Sequence, residues 1–288
     1  MEVKLYYAPI NNMGDDLNRL LMQKVFNQSV AKKFRVDNFD VMCIGSCLGA
    51  CFYGQTKREK QIKLMGKKIF SKFSRTGHIW GTGFIEEYPF EHMKLIRQNI
   101  QFDMVRGELS RRGVSKILKK DLDIPLGDGG LLAPMLISEK EIIKNGKIGI
   151  IPHYREKNDP AVARLMNQFG DDAMLIDVQN DSIKVITEIA SCEYIISSSL
   201  HGLIVADAFG IPNTRIKITN NLLGTSFKFD DYYSAFGIEK KPVVITDDKL
   251  DDKQLFDQPQ VMKGSVLQIQ NNLIQTMNLI LNSLKENC

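Results

Sequence analysis

Residues 193–212 read EYIISSSLHGLIVADAFGIP, and the reading of this stretch decides the fold. Tyr194, Ile195 and Ile196 form a short apolar run, the pattern of a strand buried on both faces. Ser197, Ser198 and Ser199 follow, small polar residues suited to capping a helix. From Leu200 the apolar positions Leu203, Ile204, Ala206, Ala208 and Phe209 recur at helical spacing until Gly210 and Pro212 stop them. His201 therefore falls in the first turn of a helix, just beyond the carboxyl end of a strand. Ligands of α/β folds bind there, and the unpaired backbone N–H groups favour an anion. A lone histidine in a first turn is more often a capping or surface residue, so the weight of His201 rests on the rest of the chain.

Outward from this stretch, strand and helix signals alternate in both directions. Upstream, residues 4–7 read as a first strand and residues 8–14 (APINNMG) as a turn-rich loop, with Asp15 and Asp16 capping the next helix. Asn12, Gly14 and Asp15 are read either as turn and cap or as the lining of a substrate cleft. Residues 39–45 form a second strand ending in Gly45 and Ser46, small enough for a ligand to approach the backbone. GTGF at 81–84 is a lone GxG, weak evidence for phosphate binding. Residues 102–106 read as a strand ending in Arg106, which is either a planar clamp for a carboxylate or phosphate or half of a structural ion pair. Asp128, in the Gly-rich 124–134 segment, is expected to end the first half's last strand. Beyond the polar residues 138–147, KIGIIP starts a new series, with His153 directly after it. Residues 174–177 and 213–218 are further strands, the latter carrying Arg215 and Lys217, and residues 182–190 a helix. Residues 261–284 form a long amphipathic helix that can pack on its own half, cross to the first, or join two copies. The expected class is α/β with two Rossmann-like domains facing a cleft: residues 1–137, residues 138–260, and a C-terminal helix in 261–288.

Composition narrows the function. With 288 residues, 43% of them hydrophobic, and a net charge of +4, the chain suits an anionic small substrate or a membrane surface. A dedicated nucleic-acid binder would concentrate more Lys and Arg. The basic run at 57–68 reads as a solvated helix face. No apolar run approaches a membrane span and no signal peptide precedes residues 1–5, so a cytoplasmic protein is expected. The five cysteines read as free thiols, and Cys43, Cys47 and Cys51 lack the spacing of a zinc site, so no metal is expected. His78 and His92 read as structural.

Taken in order, KLYYAPINNMGDDLNRLL, IGSCL, GTGF, VRGELSRRG, GDGGLL, IPHY and SSSLHGLIVADAFGIP make the chain resemble the polysaccharide pyruvyl transferases, the exopolysaccharide ketal-pyruvate type most of all. FKFDDYYSAFGI resembles the family's Lys–Trp–x–Asp–Trp segment, with Phe229 and Tyr232 where Trp is usual. The resemblance implies a glycosyltransferase-B-like fold, phosphoenolpyruvate as donor substrate with no further cofactor, and a sugar diol as acceptor, lipid-linked or free. It places the donor site on Ser199, Leu200 and His201, with Gly202 beside them, and the strand-end arginine on Arg106. Some members have Arg where this chain has Ser199, so Arg215, Lys217 or Lys228 is expected to supply the missing charge. His201 is the first candidate for acid–base chemistry and His153 the second, because imidazole titrates in the useful range. A nucleotide-sugar glycosyltransferase on the same fold is the alternative activity, and a binding protein with a decayed site the non-catalytic one. Work at the inner face of the membrane fits a lipid-linked acceptor.

Overall fold

A computed structural model describes residues 2–8, 10–32, 35–54, 75–219, 226–246 and 252–286. The basic run at 57–68 lies outside the described residues. Among the described residues twelve strands form: β1 Glu2–Tyr6, β2 Ser29–Lys32, β3 Val41–Met42, β4 Phe52–Tyr53, β5 Gly77–Trp80, β6 Lys94–Leu95, β7 Ile100–Met104, β8 Ile148–Ile151, β9 Ala173–Leu175, β10 Tyr194–Ser197, β11 Asn213–Lys217 and β12 Val243–Val244. The helices are α1 Met13–Leu20, α2 Glu108–Leu118, α3 Pro160–Phe169, α4 Ser182–Ser191, α5 Leu200–Phe209, α6 Phe227–Ser234, α7 Asp252–Phe256 and α8 Lys263–Glu286.

Ten strands make two five-stranded sheets, ordered β2-β1-β3-β5-β7 and β9-β8-β10-β11-β12, and every pairing within them is parallel. β4 and β6 form a separate antiparallel pair. Counted along the chain, each sheet has the order 2-1-3-4-5. This doubly wound order changes direction between its first and third strands, where α/β proteins bind ligands. The sequence carries no usable internal repeat, yet the two halves repeat one topology.

The opening stretch folds as its residues dictate. β10 is buried at Ile195, Ile196 and Ser197, α5 starts at Ser199, and Gly210 ends it in the left-handed conformation at φ +68°. Three details differ from the sequence reading. The cap of α1 is Asn12, whose side chain accepts from the Asp15 amide at 3.0 Å, so Asp15 and Asp16 sit inside the first turn. Asp128 ends no strand: β7 stops at Met104, and Asp128 caps the 3-10 segment Gly129–Leu136 by accepting from the Gly130 amide. Residues 227–234, unassigned from sequence, are helical.

The sheets are separate, but the largest hydrophobic core is shared. It joins Val3, Leu5 and Leu17 of the first half to Leu203 and Ile204 of the second and Leu273 and Met277 of α8. α8 crosses to the first half, where the Trp80 indole donates to the Leu273 carbonyl at 3.1 Å and Gln270 donates to the Leu131 carbonyl at 2.8 Å. Across the seam, the Met13 amide donates to the Val178 carbonyl at 2.8 Å.

Candidate active site

One cavity of about 200 Å³ collects the loops that follow the first and third strands of both sheets. From the first sheet come Asn12 and Asp15 after β1, and Gly45, Ser46 and Cys47 after β3. The second sheet supplies His153, Tyr154 and Arg155 after β8, and Ser199, Leu200 and His201 after β10. Lys228 enters from α6. The two direction-changing points of the fold therefore face one space.

Each wall is held by identifiable bonds. Ser197 Oγ accepts from the Ser199 amide at 2.9 Å and donates to the Ile151 carbonyl, tying the start of α5 to β8. Ser198 donates to the buried Glu156 carboxylate at 2.6 Å and accepts from the His153 amide at 2.9 Å. The expected side-chain cap is absent, since Ser199 at the N-cap makes no capping bond; the serine run instead fixes both histidine loops through Ser197 and Ser198. The ring of His201 lies against Gly14, where a Cβ would overlap it. His201 is partly exposed toward the cavity, yet its Nε2 is out of reach of solvent and has no hydrogen-bond partner among the described residues. His153 Nδ1 accepts from the Arg155 amide at 3.3 Å, which leaves Nε2 as the protonated nitrogen of the neutral ring.

The electrostatics are those of a site short of negative charge. Burial first, then the charges of Arg106 and Lys228, holds the His201 imidazole down to about 3. Burial, Lys228 and Arg155 take His153 to about 4. Lys228 itself is lowered to about 8, chiefly by burial and then by Arg106. Its ammonium makes no hydrogen bond to the described residues. Across the cavity, burial raises the Asp15 carboxyl to about 6, against the lowering effect of the Asn12 amide bonded to it at 2.7 Å. The Cys47 thiol is pushed up to about 11 by burial, so it is not a thiolate near neutrality. No three His, Cys, Asp or Glu side chains among the described residues converge as a metal site requires.

The expected site residues divide into three groups. Asn12, Asp15, Gly45, Ser46, His153, Ser199, Leu200, His201 and Lys228 all line the cavity. Arg106 stands behind its wall, fully buried, and its guanidinium donates to Asp231 at 2.9 Å, to Ser46 Oγ at 2.9 Å and to the Phe84 carbonyl. Gly202 packs against Ser197 and Ile151, and Arg215 is bound to Asp230, Ser226 and the Lys240 carbonyl, so neither reaches the cavity. Lys217, an exposed residue at the end of β11, does not line it. Of the three basic residues considered in place of the absent arginine, Lys228 is the one that lines the cavity. Glu156 was not singled out from sequence, Gly14 was read as a turn or cleft residue without its histidine contact, and Asp231 was not singled out either. Their partners lie 42, 187 and 125 residues away in the chain, beyond any local pattern.

A second feature explains Gly83 of the GTGF segment and Gly107 of the VRG segment. A Cβ on Gly83 would meet both Arg106 Cζ and Asp231 Oδ2 at 2.6 Å, and one on Gly107 would overlap the Asp231 carbonyl. The absent side chains make room for the buried Arg106–Asp231 pair rather than for a phosphate.

Comparison with known proteins adds a family match and two relatives. The family model described as polysaccharide pyruvyl transferase matches residues 6–219. Uncharacterized protein L143 of Acanthamoeba polyphaga mimivirus is 33% identical over 176 residues, 60% of this chain and 59% of that protein. The succinoglycan biosynthesis protein ExoV of Rhizobium meliloti (strain 1021) is 32% identical over 98 residues, 33% of this chain and 29% of that protein. The similarity thus spans less than two thirds of either relative.

Proposed function

The chain belongs to the polysaccharide pyruvyl transferase family, and from that premise we propose that it transfers the pyruvyl group of phosphoenolpyruvate to two hydroxyls of a saccharide, closing a cyclic ketal. The observation that carries this reading is the buried Lys228 ammonium, which has no hydrogen bond or ion pair among the described residues and only the Phe229 ring at 5.3 Å, lining a cavity of about 200 Å³ together with His153 and His201. Phosphoenolpyruvate brings a phosphate and a carboxylate on three carbons, a compact anion for a compact cationic site. The glycosyltransferase-B-like domain arrangement belongs to the same proposal. So does a cytoplasmic setting, at the inner face of the membrane where the acceptor is lipid-linked. No helix among the described residues is long and apolar enough to cross a membrane.

In the proposed reaction C3 of the enol gains a proton, C2 becomes electrophilic, and one sugar hydroxyl adds there while losing its proton. Phosphate then leaves C2 with its bridging oxygen, and the second hydroxyl adds and loses its proton. One of the two hydroxyl protons balances the new methyl group and the other the released phosphate. Lys228 and the amides at the start of α5 hold the phosphate. Burial still lowers both histidines, but the arriving anion offsets the neighbouring charges of Arg106, Lys228 and Arg155 and favours the imidazolium, so one imidazole becomes a competent acid for C3. Asp15, at about 6 in the empty site, is placed to take a hydroxyl proton.

The test is His201, in a phosphate-release assay with a panel of oligosaccharide acceptors. His201→Ala is expected to lower turnover by about 10²–10⁴-fold, with little rescue by His201→Gln, since an amide cannot exchange the proton. Near-normal turnover of the Gln variant with a raised Michaelis constant would make His201 a phosphate ligand instead. Stabilisation of the fold by a nucleoside diphosphate, and not by phosphoenolpyruvate, would overturn the reading.

A further inference from the structure

A second cavity, of about 470 Å³, opens beside the first and shares Ile10 and Asn12 with it. It lies on the seam between the halves, with Tyr7, Asn11, Asp16, Arg19 and Lys32 on one side and residues 179–182 on the other. Its chemistry differs from that of its neighbour. Two acids, Asp16 and Asp181, match two bases, Arg19 and Lys32, so its formal charge is zero. The charged groups are also largely engaged: Arg19 pairs with Asp16 at 2.9 Å and donates to Gln23, Asp16 accepts from Ser182 at 2.9 Å, and Lys32 sits over the Tyr7 ring. An anion gains little here. The unengaged groups are neutral: the side-chain amides of Asn11 and Asn180, both exposed to solvent, make no hydrogen bond to the described residues. A carboxamide offers both donor and acceptor, the complement of a hydroxyl group. The volume lies within the range of small-molecule sites.

We propose that this seam cavity holds the neutral pyranose acceptor and that Asn11 and Asn180 recognise its hydroxyls. A ring seated there presents its diol over Asn12 to the donor cavity, beside Asp15. The inference rests on the reading of the first cavity as the donor site. It adds a division of labour, with a cationic cavity for the anionic donor and a balanced one for the uncharged sugar.

The test uses full-length protein labelled uniformly with ¹⁵N, so that backbone amides and the Asn and Gln side-chain amides are both read. It is titrated with methyl β-galactopyranoside, methyl β-glucopyranoside and methyl α-mannopyranoside, with and without saturating phosphoenolpyruvate. At least one glycoside is expected to move the Asn11, Gln179 and Asn180 amide signals saturably. The paired change Asn11→Ala and Asn180→Ala should weaken that glycoside about tenfold or more, as the loss of two hydrogen bonds implies. It should leave the thermal shift produced by phosphoenolpyruvate intact. Glycosides that move only signals of residues 45–47 and 153–155, or move none, overturn the proposal. If phosphoenolpyruvate alone gives no thermal shift, the donor reading has failed, and the titration without it still reports on the seam cavity.

Discussion

At the scale of single residues, the site depends on one side chain that is absent. Gly14 lies in the first turn of α1, and its Cα rests on the His201 ring. Alanine there is intrinsically better for the helix by up to about 1 kcal/mol, so the fold has little to lose. The added methyl must instead displace the imidazole into the cavity. Gly14→Ala is therefore expected to keep its melting temperature within a few degrees while turnover falls about as far as in His201→Ala. Parallel thermal melts and phosphate-release assays check this, and unchanged turnover would mean that the imidazole position is immaterial. His201 itself was legible, because a strand, a serine run and an amphipathic helix bracket it within nine residues. Gly14 was legible only as part of a turn or cleft lining, since nothing near it in sequence records the ring it faces.

At the scale of elements, β7 and α6 are joined by the Arg106–Asp231 pair, both partners fully buried. Asp231 also accepts from the Ser110 amide and hydroxyl at 2.7 Å each, which adds α2 to the joint. Removing one member of such a pair strands a buried charge and typically costs about 3–5 kcal/mol. Arg106→Met is expected to destabilise the protein by that order in urea denaturation, and the paired change Arg106→Met with Asp231→Leu to recover much of it. A donor clamp would behave in the opposite way, losing phosphoenolpyruvate affinity at unchanged stability. The arginine at the end of a strand could be read from sequence, but its partner 125 residues on could not. The strands that were legible are those with apolar runs, such as Tyr194–Ser197 and Ile148–Ile151, because burial on both faces marks them. β2, with Ser29 and Lys32 exposed at the sheet edge, offers no such run. α6 was missed for a related reason: its aromatic and acidic residues have no clean helical stripe, since Lys228, Phe229, Asp231, Tyr232 and Tyr233 are all buried.

At the scale of the whole molecule, two sheets of the same topology direct their switch points at one cavity, and burial there sets the proton balance. In the empty protein His201 and His153 are held at about 3 and about 4, against about 6.5 in an unfolded chain. Between those values the unfolded chain binds more protons, so these two groups make stability fall as pH drops from about 6.5 to 3. Asp15, Asp128 and Asp207, each raised to about 6, act in the opposite sense: the native state binds more protons between about pH 4 and 6, and their contribution falls as pH rises through that window. A bound trianion raises the pKa of every group around the donor cavity, Lys228 included. Phosphoenolpyruvate binding at pH 8 is therefore expected to take up protons, read as a calorimetric enthalpy that varies with the ionisation enthalpy of the buffer. Proton release would contradict the cationic site. The most direct measurement is the imidazole ¹⁵N spectrum of the wild-type protein at pH 6.5 during titration with phosphoenolpyruvate. The chain has four histidines. The account predicts that His153 and His201 begin as neutral rings and that their signals move, at least one of them toward the imidazolium position, while His78 and His92 stay still. Unmoved His153 and His201 signals at saturating phosphoenolpyruvate would contradict it.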